Sequence, residues 1–231
     1  MTPITVLPGV RLWPTYYDRD AQAALLSEIL QSERLAPFYR PQMPRSGQPF
    51  SVEQTNLGSL GWISDREGYR YEKIHPLTKG PWPAIPPLLL ALWATLGRYP
   101  QPPQCCLVNR YRDQARMGLH QDRDEAALEA PVLSISLGDE AIFRIGGASR
   151  RGATKSLRLA SGDVVLFGGP ARLAFHGIDR IVAGSSQLVP GGGRINLTLR
   201  RVSGPDAQKK TPDQGAGRAS HALLRAGAGR G

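Results

Sequence analysis

The chain has 231 residues, with 29 Lys plus Arg against 19 Asp plus Glu, giving a net charge of +10. Hydrophobic residues at 41% and aromatics at 7% exclude wholesale disorder and suffice for one domain with a real core. Two adjacent cysteines, Cys105 and Cys106, exclude a disulfide scaffold and point to a reducing, cytoplasmic setting.

The first 17 residues read as strand and turn, with Ile4, Val6 and Leu7, then Val10, Leu12 and Trp13, as the apolar positions. The N-terminus lacks a basic export signal, and Pro3 and Pro8 break its apolar run. Asp18 is the expected N-cap of a helix reaching about Arg34, with Ala21, Leu25, Leu26, Ile29 and Leu30 on one face. A loop rich in Pro, Arg and Gly follows over 37–49, then a polar and aromatic segment, 50–71, punctuated by Gly58, Gly61 and Gly68. Pro86 and Pro87 open a second helix with Leu88–Leu96 as its body and Gly97 as its stop. The apolar stretch 85–96 is too short to span a bilayer, so no membrane contact is expected.

From Cys105 the pattern changes to short strands: 105–112, 132–137, 141–145, 156–159, 163–167, 172–175 and 194–200. Gly, Pro or Asp separates most of them, which predicts a mainly β sandwich, barrel or jelly roll. Residues 203–231 hold five basic and two acidic residues without a convincing period, and read as a basic disordered tail. Positive charge on the folded part fits a polyanion such as nucleic acid, although Arg outnumbers Lys 24 to 5, as codon bias alone would produce.

The chemistry concentrates in a few segments. In His120-Gln121-Asp122, residues two apart project to the same side of an extended backbone. An imidazole and a carboxylate can therefore meet one ion, and a second histidine would complete an iron-type face. Taken alone, the pair fits a turn histidine beside an exposed acid better than a metal site. Of the other histidines, His221 lies in the tail and His75 sits between Ile74 and Pro76, where a satisfied loop or core role fits better. Elimination leaves His176, at a strand end and followed by Gly177.

In Arg194-Ile-Asn-Leu-Thr-Leu-Arg200 the period of two puts Arg194, Asn196, Thr198 and Arg200 on one face and three aliphatic residues on the other. Two guanidinium forks and an amide with no acid suit a small dianion. Asn109 and Tyr111 alternate on a similar face and add neutral hydrogen bonds.

Together Asn109-Arg110-Tyr111, His120-Gln-Asp122, His176-Gly177 and Arg194-Ile-Asn196-Leu-Thr198-Leu-Arg200 resemble the AlkB family of Fe(II)/2-oxoglutarate dioxygenases, in order and in spacing. The resemblance runs through most of 3–202 and takes in Gly61-Trp62, Gly68-Tyr69-Arg70-Tyr71, Lys79-Gly-Pro-Trp-Pro-Ala84 and Gly162-Asp-Val-Val165. It implies an α+β, mainly β, double-stranded β-helix at 105–202, preceded by an N-terminal extension and nucleotide-recognition lid at about 1–104. It implies Fe(II) on His120, Asp122 and His176, with 2-oxoglutarate and O2 as co-substrates. Arg194 and Tyr111 would take the distal carboxylate of 2-oxoglutarate; Arg200, Asn196 and Asn109, with Arg110 and Thr198 nearby, would serve the end near the metal. For the damaged base the family pattern maps onto Trp62, Tyr69, Arg70, Tyr71, Asp124 and Arg150, with Glu125 read as a solvated loop acid. Phe167 stands where the family commonly has an indole, and the loop 40–48 departs from the pattern.

The implied activity is oxidative demethylation of N-methylated bases in single-stranded DNA by a monomer, with succinate, CO2 and formaldehyde released. The same chemistry on tRNA or other RNA, or a non-catalytic basic nucleic-acid-binding module, are the alternatives.

Overall fold

The computed structural model describes residues 2–204, and the expectation for the tail therefore falls outside the described residues apart from its first two positions. Thirteen strands and two α-helices are present among them. Strands β1 (Ile4–Leu7) and β2 (Val10–Trp13) precede helix α1 (Arg19–Ser32), whose cap is the expected Asp18, accepting from the Ala21 N–H at 2.9 Å. Helix α2 covers only Pro87–Leu92 before the backbone widens into a π-helical turn at Trp93–Gly97, closed by Arg98 at φ +49°.

The remaining strands build a cup. A seven-stranded sheet runs in the order β1, β2, β11 (Val164–Phe167), β8 (Val132–Gly138), β13 (Arg194–Arg200), β6 (Cys105–Tyr111), β3 (Glu53–Gly58). It faces a four-stranded sheet in the order β10 (Thr154–Leu159), β9 (Glu140–Gly146), β12 (His176–Val182), β7 (Met117–His120). All pairings are antiparallel, which is the sheet pattern of a jelly roll. Strands from the N-terminal half thus form both edges of the larger sheet. A separate hairpin, β4 (Gly61–Asp65) with β5 (Gly68–Glu72), overhangs the mouth.

Alternation on β13 explains the layering. Ile195, Leu197 and Leu199 are fully buried with Ile135, Leu137, Leu25, Ile29, Leu89 and Trp93, so the outer face of the larger sheet is sealed by the two helices. The opposite face of β13 turns its polar residues into the cup. A second core, with Val10, Phe143, Ile145, Leu159, Val165, Phe167 and Ile178, closes the cup between its sheets. Ala36, Ile63 and Trp82 make a small core under the hairpin.

Two assignments made from the sequence need correction. Residues 172–175 are not a strand: Gly169–Ala171 forms a 3-10 turn, and the amides of Arg172 and Ala174 bond back to Gly169 and Ala171. The strand follows instead, from His176, and its period is masked because the register shifts between Ile178 and Arg180, leaving Asp179 and Arg180 exposed. In 50–71, three strands were hidden by polarity. Gln54, Thr55 and Asn56 are buried in β3 with side-chain partners that the fold supplies: Gln54 donates to Asn109, Thr55 donates to Ala36 O at 2.8 Å, and Asn56 donates to Trp62 O.

Candidate active site

His120 ends β7 and His176 begins β12, and the two are register partners across the smaller sheet. Their approach depends on Gly177, where a β-carbon would come within 2.5 Å of the Met117 carbonyl oxygen. The side-chain donors of His120, Asp122 and His176 all lie within 4.8 Å of one another. Nε2 of His120 is 3.8 Å from Asp122 Oδ1, and Nε2 of His176 is 3.9 Å from Asp122 Oδ2. Each imidazole places Nδ1 2.9 Å from a backbone carbonyl, Gly118 for His120 and Ala174 for His176. A carbonyl can only accept, so Nδ1 carries the proton and both Nε2 lone pairs face the shared point. Burial pulls the His176 pKa down to about 4, with His120 adding to the effect and Asp122 opposing it, so the ring is neutral and ready to ligate. Burial alone would raise the Asp122 carboxyl, but Arg200, the two imidazoles and Arg172 outweigh it and hold the group well below the ordinary carboxylate range. Two imidazoles and one carboxylate suit a divalent iron centre with open positions. The His120 side chain, 40% exposed, lies at the mouth, whereas Asp122 at 5% and His176 at 8% lie inside.

The floor of the cup is the polar face of β13 with its neighbours. Arg194 is fully buried, and its guanidinium bonds only neutral acceptors, Ser136 Oγ at 2.7 Å and the Asp139 carbonyl at 3.3 Å. Its Nε has no partner. Burial pulls its pKa down to about 10, with Tyr111 and Asp163 opposing, so the charge persists at neutral pH. Tyr111 is its register partner on β6 and lines the same cavity. A buried cation with a free N–H and no acid bonded to it fits a ligand carboxylate. Asn196 and Asn109 are register partners beside it; Asn196 donates to Ser134 Oγ at 2.8 Å and accepts from Thr198, and Asn109 accepts from Gln54 at 2.7 Å. Arg200 differs from Arg194, since it grips both Asp122 oxygens, at 2.8 and 3.2 Å.

The lid hairpin brings aromatic surface to the mouth. Trp62 stacks on Tyr69, with ring centroids 5.5 Å apart and planes 17° from parallel, and its indole N–H donates to Asp124 at 2.9 Å. Both rings, with Asp124 and Arg150, line a cavity of about 880 Å³ shared with the triad and the floor. Tyr71, the cross-strand neighbour of Trp62, turns its hydroxyl to the buried Glu125. Two of the residues singled out in the sequence stand elsewhere. Arg110 projects from the opposite face of β6, bonds Glu53 at 2.8 Å and Glu33 at 3.1 Å, and lies over the Phe38 ring. Arg70 faces away from Trp62 and Tyr69 and binds Asp65 through a bidentate fork and Glu72 at 2.9 Å. Strand alternation is the reason in both cases, since each neighbours a cavity residue by one position. His75 is buried and satisfied, with Nε2 on Pro37 O at 2.9 Å and Nδ1 accepting from the Leu77 and Thr78 amides.

Residues 9–200 match the family model of the 2OG-Fe(II) oxygenase superfamily. The chain is 62% identical over 202 residues to an alpha-ketoglutarate-dependent dioxygenase AlkB homolog of Caulobacter vibrioides, covering 87% of this chain and 90% of that protein. It is 43% identical over 187 residues to alpha-ketoglutarate-dependent dioxygenase AlkB of Escherichia coli strain K12, covering 79% and 86% respectively. The solved structure of OsALKBH1 superposes with a TM-score of 0.73 at 28% identity, covering 87% of this chain and all of that one. The chain belongs to the AlkB family. It is an Fe(II)- and 2-oxoglutarate-dependent dioxygenase, and the jelly-roll expectation holds. No helix among the described residues is long and apolar enough to cross a membrane.

This AlkB-family site also contains residues that the sequence reading passed over. Glu125 is not a solvated acid; it is buried and bonded to Tyr71 and Arg172. Arg172, hidden in an expected strand, is 4% exposed and spans to the Asp122 segment. Phe143, also passed over, packs on the His176 ring at 5.9 Å, beside Phe167, the residue noted above at the indole position, at 4.7 Å. A signal for Arg172 was present in principle, because an arginine in an otherwise apolar run beside a ligand histidine needs a partner.

Proposed function

We propose that the chain removes methyl groups from N-methylated bases of the 1-methyladenine and 3-methylcytosine type in single-stranded DNA, as a step of alkylation repair. The observation that carries this reading is the Trp62–Tyr69 plate, pinned by Asp124 over the cavity that contains the triad. An adenine or cytosine methylated at these ring nitrogens is cationic and flat. It is recognised by aromatic faces with a carboxylate beside them, once it has left the stack. Arg150 on the rim supports a phosphate contact.

In this reading His120, Asp122 and His176 hold Fe(II) through two Nε2 atoms and a carboxylate oxygen. Arg194, with Tyr111, takes the distal carboxylate of 2-oxoglutarate. Asn109, Asn196 and Thr198 line the path between that carboxylate and the metal. Arg200 acts by fixing Asp122 on both oxygens. When bound, Fe(II) with 2-oxoglutarate and O2 supplies the oxidation of the N-methyl group, whose products are succinate, CO2 and formaldehyde. The buried floor keeps water from the co-substrate, and the lid orients the base toward the open side of the triad.

The test is formaldehyde and succinate release on oligonucleotides carrying 3-methylcytosine or 1-methyladenine, as single-stranded DNA, duplex DNA and RNA. Turnover on single-stranded DNA is expected. Turnover confined to methylated tRNA would move the substrate to RNA, and DNA binding without turnover on any arm would leave a binding module.

A further inference from the structure

One buried carboxylate joins three parts of the molecule that the chemistry must keep in register. Glu125 accepts from the Tyr71 hydroxyl of the lid hairpin on Oε1 and from Arg172 Nη2 at 3.0 Å on Oε2, while Arg200 Nε of the floor lies 3.6 Å from Oε1. Its side chain is 1% exposed, and that of Arg172 is 4% exposed. Arg172 spends its other donors on backbone: Nη1 on the carbonyl of Asp122 itself, and Nε on Ala130 O at 2.9 Å. The guanidinium therefore brackets the segment 122–130, which carries the metal-ligating acid near one end and has no regular secondary structure. Arg172 also lies four residues before His176, in the turn whose Ala174 carbonyl fixes the His176 tautomer. Two ligand segments, one following β7 and the other leading into β12, are thereby tied by one side chain. Arg200 holds the carboxylate of Asp122, and Arg172 holds its backbone.

A buried arginine satisfied only by one carboxylate and two carbonyls is costly to keep unless the arrangement is used. The arrangement has two uses here, since Asp122 must present an oxygen to the metal and Tyr71 belongs to the hairpin that carries Trp62. We propose that Arg172 is a positioning residue for the metal centre, and that through Glu125 it couples the Asp122 ligand segment to the Tyr71 side of the lid.

The inference rests on the assignment of the triad, and Co(II) alone, titrated into the metal-free full-length protein, separates the two. Wild-type protein that fails to bind Co(II) overturns the triad itself. If the wild type binds, Arg172→Met is expected to lose about 10–100-fold in Co(II) affinity and to shift the visible Co(II) absorption. Arg172→Lys is expected to recover part of the loss, because an ammonium keeps the charge opposite Glu125 but cannot reach all three acceptors. Circular dichroism and thermal unfolding of the metal-free variants confirm that the fold is retained. Wild-type affinity and spectrum in folded Arg172→Met would overturn the proposal. Should that variant not fold, the isosteric Glu125→Gln takes its place, with weakened Co(II) binding expected and unchanged binding overturning it. The link to the lid is read from Tyr71→Phe combined with Arg172→Lys. Their effects on Co(II) affinity are expected to depart from additivity by about threefold or more, and strict additivity would overturn the coupling.

Discussion

Arg194 and Asn196 on the floor of the cup are buried and held by neutral partners, whereas Tyr69 on the overhanging hairpin is 50% exposed and stacks on a tryptophan that is itself only half-buried. Both regions are antiparallel strands with alternating faces, yet they meet opposite demands. The floor holds its charge in place through neutral neighbours, with the Arg194 Nε left free and aliphatic residues sealing the sheet behind it. On the proposed function the hairpin admits a large partner; its aromatic face is open, and it is anchored at Asp124, at Glu125 and on the small core of Ala36, Ile63 and Trp82. On the proposed function, reaction chemistry belongs to the first region and choice of substrate to the second.

Substitutions that separate the two regions test this division. Asp122→Ala is expected to abolish turnover with any substrate, and metal binding with it, while circular dichroism shows the fold intact; a fully active variant would place the metal elsewhere. Arg194→Ala removes the buried charge-assisted contact, and the 2-oxoglutarate requirement is expected to rise about 10–100-fold, with oligonucleotide affinity unchanged. An unchanged requirement would show that another cation holds the co-substrate.

The buried histidines also have a pH signature. Burial takes His176 from an ordinary 6.5 to about 4, and burial lowers His75 as well, so between these values the unfolded chain takes up protons that the folded chain refuses. Stability of the metal-free protein is therefore present above about pH 6.5 and is lost as pH falls toward 4, by on the order of 2–3 kcal/mol for His176. Urea midpoints between pH 7 and pH 4 measure the slope, and His176→Gln is expected to flatten it. Trp62→Ala, on the lid, is expected to weaken methylated oligonucleotide binding by about 1–3 kcal/mol and to leave the 2-oxoglutarate requirement alone. A shift in that requirement would break the division between floor and lid.

The difference between these regions also governs how far the sequence could be read. β13 is visible because aliphatic and polar residues alternate without a break over seven positions, whereas His120-Gln-Asp122 gains meaning only beside His176 and the β13 face. Helix α1 shows its cap and its apolar face. The strands β3, β4 and β5 do not show, since buried Gln54, Asn56 and Ser64 take partners that only the tertiary fold supplies, such as Asn109, Trp62 and Gln42. Arg172 and Glu125 escape for the same reason: 47 positions apart, they look like surface charges until the fold buries them together. Arg70 and Arg110 err in the other direction, because each sits one position away from a cavity residue and so points to the other side of its strand.

The unequal shielding of the triad has a consequence for how the protein keeps its metal. Two of the three donors are walled in and the third, His120, looks outward, so the centre has a single open flank. On the proposed function, chelators and solvent-borne oxidants would reach the ion past that imidazole, and a strand bound over the mouth would act as a stopper. Protein saturated with nucleic acid should surrender its metal to a chelator more slowly than free protein, and equal rates of loss would show that the ion escapes by another route.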